Sequence, residues 1–138
     1  MTEVLVVLVL IALITKMSFP KIVQIRERNA VRAAKLQLVS QITTARAAAI
    51  RRSQPSTFTW QSGEALAKVG PTGTENVVSG RVRLAAMQVT VTPTDDIQFD
   101  PRGFATNLTA RKVYRFTRNN YTDSLCVSKL GQISRYCQ

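Results

Sequence analysis

Residues 3–14 read EVLVVLVLIALI: one acid, Glu3, then eleven apolar residues without a break from Val4 to Ile14. With residues 15–19 included, the apolar-dominated stretch reaches about 19 residues, close to the roughly 20 that a helix needs to cross a bilayer. Lys16 falls near its end, where a long side chain can reach the interface. A cleaved secretory signal carries positive charge before its apolar run and a small-residue cleavage site after it. Here an acid precedes the run, and Thr15-Lys16-Met17-Ser18-Phe19-Pro20 follows it. The stretch reads as a retained helix.

The helix does not stop there. Between Lys21 and Arg52 there is no glycine and no proline, and Ala, Leu, Gln, Arg and Lys dominate. These are strong helix formers. Val31, Leu38, Ile42, Ala45 and Ala49 recur on one helical face, whereas Arg28, Arg32 and Lys35 line another. The pattern predicts one long helix over residues 2–53, kinked or locally loosened at Pro20. At 1.5 Å per residue it would run about 75 Å, longer than a domain this small can bury. Its first half needs another environment, either lipid or further copies of itself.

After Pro55 the texture changes to short β-branched and aromatic segments between turn formers. Strands are expected over 56–60, 81–84, 87–92, 97–99, 113–117, 124–127 and 132–135. Residues 70–80 contain Gly70, Pro71, Gly73, Asn76 and Gly80 and read as a loop, and Gly131 reads as a hairpin turn. The 84 residues from 55 onward are too few for a self-sufficient core. They need the apolar face of the helix's second half as a cover. The expected fold class is therefore α+β: a long N-terminal helix packed on a small antiparallel β domain.

Composition removes several chemistries. The chain has no histidine, so a catalytic histidine and a histidine metal site are excluded, and two cysteines cannot build a four-thiolate zinc site. Asp95, Asp96 and Asp100 lie close in sequence, but nothing near them completes a nucleophile or ligand set. They read as an acidic turn patch rather than an acid–base pair or calcium site. An enzyme is the least supported class, and no cofactor or metal is expected. The net charge of +11 is patterned: −1 over residues 1–14, +8 over 15–54, −2 over 55–100 and +6 over 101–138. Such a charge attracts phosphate-rich or anionic surfaces.

An apolar N-terminal helix opened by a single acid, a proline after it and a small C-terminal β domain together resemble the type IV pilin superfamily. The segment Thr2-Glu3-Val4-Leu5-Val6-Val7-Leu8 is similar to the mature pilin start. In that family the acid is the fifth residue and a frequent proline the twenty-second; Glu3 and Pro20 keep the same separation of seventeen. The resemblance implies a chain two residues short at its N-terminus, without the short basic leader ending in glycine that the prepilin peptidase removes. Within the superfamily, Ile97-Gln98-Phe99-Asp100-Pro101-Arg102-Gly103 and the ending from Cys126 to Cys137 resemble GspH/FimT-type pseudopilins and minor pilins.

The resemblance implies a structural subunit of a type IV pilus or type II secretion pseudopilus. Residues 1–22 would form the transmembrane and filament-core segment and residues 23–138 the pilin-like domain on the periplasmic side. Other pilin or pseudopilin subunits and the inner membrane would be its partners. Glu3 and Pro20 become assembly residues, with Glu3 paired to the often methylated α-amino group of a neighbouring subunit. The alternative for Glu3 is a solvated acid favoured by the helix dipole.

Cys126 and Cys137 would be oxidised to a disulfide in a periplasmic domain, the alternative being two free thiols. Arg102, Arg111, Lys112, Arg115, Arg118, Lys129 and Arg135, interleaved with Tyr114, Tyr121 and Tyr136, form a candidate double-stranded DNA surface. The bland alternative is a solvated basic face, or one matched to an acidic partner. Some FimT-type pilins bind DNA through a C-terminal Gly-Arg-x-Arg motif, where this chain has Gly131-Gln132-Ile133-Ser134-Arg135. Alternation along the strand puts Arg115 and Thr117 on one face and Tyr114, Phe116 and Arg118 on the other. The helix cations Arg26, Arg28, Arg32 and Lys35 are expected at lipid headgroups or neighbouring subunits, apart from the C-terminal set.

Overall fold

The computed structural model describes every residue except Met1, Ser62, Tyr136 and Gln138, and the side chains of residues 2, 5, 13 and 15–20 also lie outside the description. A single helix, α1, runs from Thr2 to Arg52 and crosses the expected segment boundary at residue 22 as one element. The expected kink rests on the side chain of Pro20, which is outside the described residues.

The end of α1 has a clear cause. Ser53 is left-handed at φ 50°, the Gln54 amide returns to the Ala49 carbonyl at 3.2 Å and the Ser53 amide to Ile50 at 3.4 Å. That is the Schellman arrangement, and Pro55 then prevents continuation.

Two antiparallel sheets follow. Strands β1 (Ser56–Gln61) and β2 (Glu64–Val69) form a hairpin. The outer edge of β2 is shared by two-residue strands, β3 (Asn76–Val77) at one end and β4 (Val82–Arg83) at the other. A 3-10 turn over Leu84–Met87 leads to β5 (Thr90–Thr92), and β6 (Ile97–Phe99) returns to pair with β1. The second sheet has the order β5-β7-β8-β9, with β7 Lys112–Arg118, β8 Tyr121–Val127 and β9 Ile133–Ser134. Asn119 turns the β7–β8 hairpin with φ 49°, a conformation that asparagine tolerates.

Both sheets pack on α1 through β1, β2, β7 and β8. The helix presents Val31, Ala34, Leu38, Ile42, Ala45 and Ala49, all fully buried. All five positions read from the periodicity are in this stripe; Ala34 joins them. Phe58 and Tyr114 meet edge to face at 6.5 Å between centroids, one from each sheet. On β7, Tyr114 and Phe116 face the core and Arg115 faces out, as alternation requires.

The strand expectations err where propensity was weak. The segment Glu64-Ala-Leu-Ala-Lys-Val69 carries no β-propensity signal, yet β2 is the central strand of its sheet, with Ala65, Leu66 and Ala67 all buried. The expected strands over 81–84 and 87–92 are broken by the 3-10 turn, where Gln88 is left-handed at φ 54°. β8 begins three residues earlier than expected, because the Asn119-Asn120 turn lets pairing start at Tyr121.

Buried polar groups tie the loops to the helix. Ser56 donates to the Ala45 carbonyl at 2.7 Å. Gln41 donates to the Gly80 carbonyl at 3.1 Å and accepts from Ser79, whose hydroxyl also accepts the Ala67 amide at 3.0 Å. Arg46 donates to the carbonyls of Gly103 and Gly131, each at 3.1 Å. Gly131 has φ +70°, and a Cβ there would sit 2.5 Å from the Gly103 carbonyl and 2.9 Å from Arg46 Nε. Gly73 also has positive φ, +93°, but open space around it. Gly73→Ala should therefore cost only the left-handed backbone penalty, about 1–2 kcal/mol. Gly131→Ala should cost about 3 kcal/mol or more, since it also displaces the Arg46 contact. Thermal unfolding of the two variants checks this; equal shifts would contradict it.

Candidate assembly helix and basic groove

The first half of α1 is a rod of apolar surface. Val4, Val6, Val7, Leu8, Val9, Leu10, Ile11 and Ile14 are each more than half exposed. Contiguous apolar surface on this scale marks a site that another surface covers. Glu3 is exposed in the first turn of the helix, where its charge complements the helix dipole. Among the described residues, no helix is long and apolar enough to cross a membrane.

The second half of α1 meets the end of the β7–β8–β9 sheet in an open groove of about 570 Å³. Arg32, Lys35 and Arg46 reach it from the helix and Arg135 from beyond β9, while Leu36, Val39 and Ile133 supply apolar lining. The helix cations and the C-terminal cations were expected on separate surfaces. The structure corrects this: Arg32 and Arg135 share one groove. Sequence distance hid the meeting, because only the packing of β8 and β9 along α1 brings the two blocks together.

Three helix side chains are engaged with the β7–β8 hairpin. Lys35 binds both oxygens of Asp123, at 2.9 and 3.0 Å, in a pair whose side chains are 12% and 28% exposed. The Arg28 guanidinium lies 5.8 Å from the Tyr121 ring centroid, and Glu27 accepts from Asn119 at 2.6 Å. The single acid of the last 38 residues is thus neutralised from the helix.

The seven cations of the candidate DNA surface do not form one face. Lys112 binds Asp95. Arg118 turns toward the core side and donates to the Met87 carbonyl at 2.8 Å and to Gln88 at 3.1 Å. Arg102, Arg111, Arg115, Lys129 and Arg135 are exposed, but on different elements. Arg102 and Lys129 lie in turns, Arg111 just before β7, and Arg115 on the outer face of β7.

The three aspartates are engaged within the fold. Asp100 accepts the Arg102 and Phe104 amides at 3.0 and 2.8 Å, and Asp96 accepts the Trp60 amide at 3.0 Å. The Asp95 carbonyl accepts the Tyr114 hydroxyl at 2.9 Å. Burial first, then the charges of Asp95 and Asp96, pushes the Tyr114 phenol well above its ordinary range, so it remains a neutral donor to that carbonyl.

The architecture is a long helix whose first half projects bare from two antiparallel sheets packed on its second half. Residues 36–131 match the family model described as type II transport protein GspH, and the chain belongs to that family. Its fold is similar to that of the type IV minor pilin FimU of Pseudomonas aeruginosa (strain PAO1), solved in two space groups. For the P21 form the TM-score is 0.61 at 15% identity, covering 80% of this chain and 91% of FimU. For the P65 form the TM-score is 0.56 at 12% identity, covering 80% and 92%. Sequence comparison with curated proteins finds no match.

Cys126 and Cys137 are joined in a disulfide, with their Cα atoms 5.6 Å apart. The bond closes a short loop around the Gly131 turn and ties the C-terminal segment to β8. Replacing both cysteines by serine should lower stability by about 2–3 kcal/mol on the chain-entropy estimate. Protein isolated without reductant should show no titratable thiol when unfolded; two free thiols in exported protein would refute the pairing.

Proposed function

We propose that this chain is a minor pilin or pseudopilin of a type IV pilus or a type II secretion pseudopilus. Residues 1–22 hold the subunit in the inner membrane as a single pass, with residues 23–138 in the periplasm. The same helix then leaves the bilayer to pack among neighbouring subunits in the filament core. The observation that carries this reading is the exposed apolar half of α1 on a GspH-family chain. The membrane part takes in residues 15–20 together with the run from Val4 to Ile14, because the run alone is shorter than a bilayer.

Glu3 supplies register in this scheme. A carboxylate among apolar helices is costly unless paired, and the α-amino group of an adjacent subunit is the compensating charge. Pro20 marks the level at which the helix can loosen on assembly. The DNA-receptor reading rests on the exposed C-terminal cations and is the lesser one, because Lys112 and Arg118 are engaged within the fold.

The test is Glu3→Ala in cells. The variant should accumulate in the membrane fraction as the parent does, while its share in purified filaments falls by about tenfold or more, as expected when a buried charge pair is broken. Incorporation at the parental level would remove the pairing role.

A further inference from the structure

Strand β8 has one fully paired edge and one that, among the described residues, is mostly unpaired. Toward β7 it pairs at every residue from Tyr121 to Val127. Toward β9 it pairs only at Cys126 and Val127. The Ser128 amide donates to the Gln132 carbonyl at 2.9 Å, which fixes the parity of the outer edge. Cys126, Ser124 and Thr122 therefore turn their amides and carbonyls away from β7. Ser124's amide is held by the Asp123 carboxylate at 2.7 Å, and among the described residues the Thr122 backbone has no partner on that side.

The disulfide sets where the described C-terminal residues stand beside this edge. Were β9 to continue in register, Cys137 would come to lie opposite Asp123, about 10 Å along β8 from Cys126. Instead it is bonded to Cys126, so Cys137 does not continue the β9 register. The space that a continued strand would flank is the basic groove. Its floor is partly apolar, with Leu36 58% exposed, and among the described residues Arg32 and Arg135 make no hydrogen bond or ion pair.

We infer that the open edge of β8 and the groove beside it form a strand-addition site for an extended acidic segment of a partner protein. The segment would add to the sheet in line with β9, its backbone meeting the amide and carbonyl of Thr122 and the carbonyl of Ser124, whose amide stays on Asp123. Alternate side chains would enter the groove, with carboxylates at Arg32 and Arg135 and apolar groups over Leu36 and Ile133. Main-chain bonds supply affinity in this mode and alternate pockets supply selectivity. An acidic occupant is selected because the groove's cations, Arg32, Lys35, Arg46 and Arg135, face one acid, Asp123. The site lies outside residues 2–22 and does not rest on the filament reading.

The experiment uses the full chain in detergent and a labelled peptide of alternating valine and glutamate, followed by fluorescence anisotropy. The peptide should bind, and its lysine counterpart should not. Arg32→Glu combined with Arg135→Glu should weaken binding by about tenfold or more, as should N-methylation of alternate peptide amides. Thr122→Pro should act like N-methylation, since it removes an outward amide without touching the β7 ladder; should that variant not fold, the methylated peptide carries the same test. Failure of the glutamate peptide to bind at low salt overturns the proposal. So does binding that ignores N-methylation, which would mean charge without strand addition. A short DNA duplex that binds the groove and displaces the peptide, with the same dependence on Arg32 and Arg135, would assign the groove to nucleic acid instead.

Discussion

Both sheets close their cores on the same stripe of α1, from Val31 to Ala49, and among the described residues neither has another α-helix to close on. The constraint is one of size. Strands of two to seven residues cannot exclude water from both faces of two small sheets, so each sheet leaves one face for a common partner. The stripe suits that task because it combines large residues with small ones. Leu38 and Ile42 fill the space between the sheets, while Ala34, Ala45 and Ala49 let the strands approach closely. Ser56 can then reach the helix backbone at Ala45, which lowers the entry of β1 onto the helix directly after its cap.

Apolar packing of this kind is non-directional and would tolerate some sliding of the sheets along the helix. Polar contacts fix the position. Gln41 reads the β2–β4 side through Ser79 and Gly80, and Arg46 reads the other side through Gly103 and Gly131. The guanidinium fork suits two carbonyls from turns far apart in sequence. Lys35 adds an ionic contact to Asp123 further toward the exposed half of the helix. The C-terminal hairpin is therefore held at its turn by Arg46, at its strand by Lys35 and at its end by the disulfide. This is why the edge of β8 is presented in a defined position next to α1.

Much of this was legible in the sequence, and the failures share a cause. The helix, its buried face, the alternation of β7 and the Gly131 turn all follow from local pattern, where period and turn chemistry act over a few residues, while the disulfide was expected only from the compartment that the family resemblance implies. β2 was illegible because Ala65 and Ala67 are there to let the helix approach, a tertiary reason that strand propensity does not encode. Residues 70–80 read as a loop, yet Asn76 and Val77 pair with β2 because that strand needs an edge partner. The basic groove was illegible for a stronger reason. Its defining pair, Arg32 and Arg135, belongs to opposite ends of the domain, and a charge count by segment assigned them to different surfaces.

The charge pattern of the chain acquires a direction in the fold. The mildly acidic middle, residues 55–100, builds the β1–β2 sheet, and its acids hold turns and pair with Lys68, Arg81, Arg83 and Lys112. The two basic blocks meet through Arg32 and Arg135 on another flank, where α1 packs on the β7–β8–β9 sheet and the acids Glu27 and Asp123 are already engaged. A subunit polarised in this way meets its neighbours unequally. Like-charged flanks repel and are kept apart, while an acidic surface brought to the basic flank is attracted and oriented before any close packing forms. Beyond Glu3, the apolar half of α1 carries little such preference, since Val, Leu and Ile pack without direction against their own kind. Orientation about the helix axis would then fall to the folded domain, and the flank where the helix meets the outer edge of β8 is the part of it with both charge and backbone groups to offer.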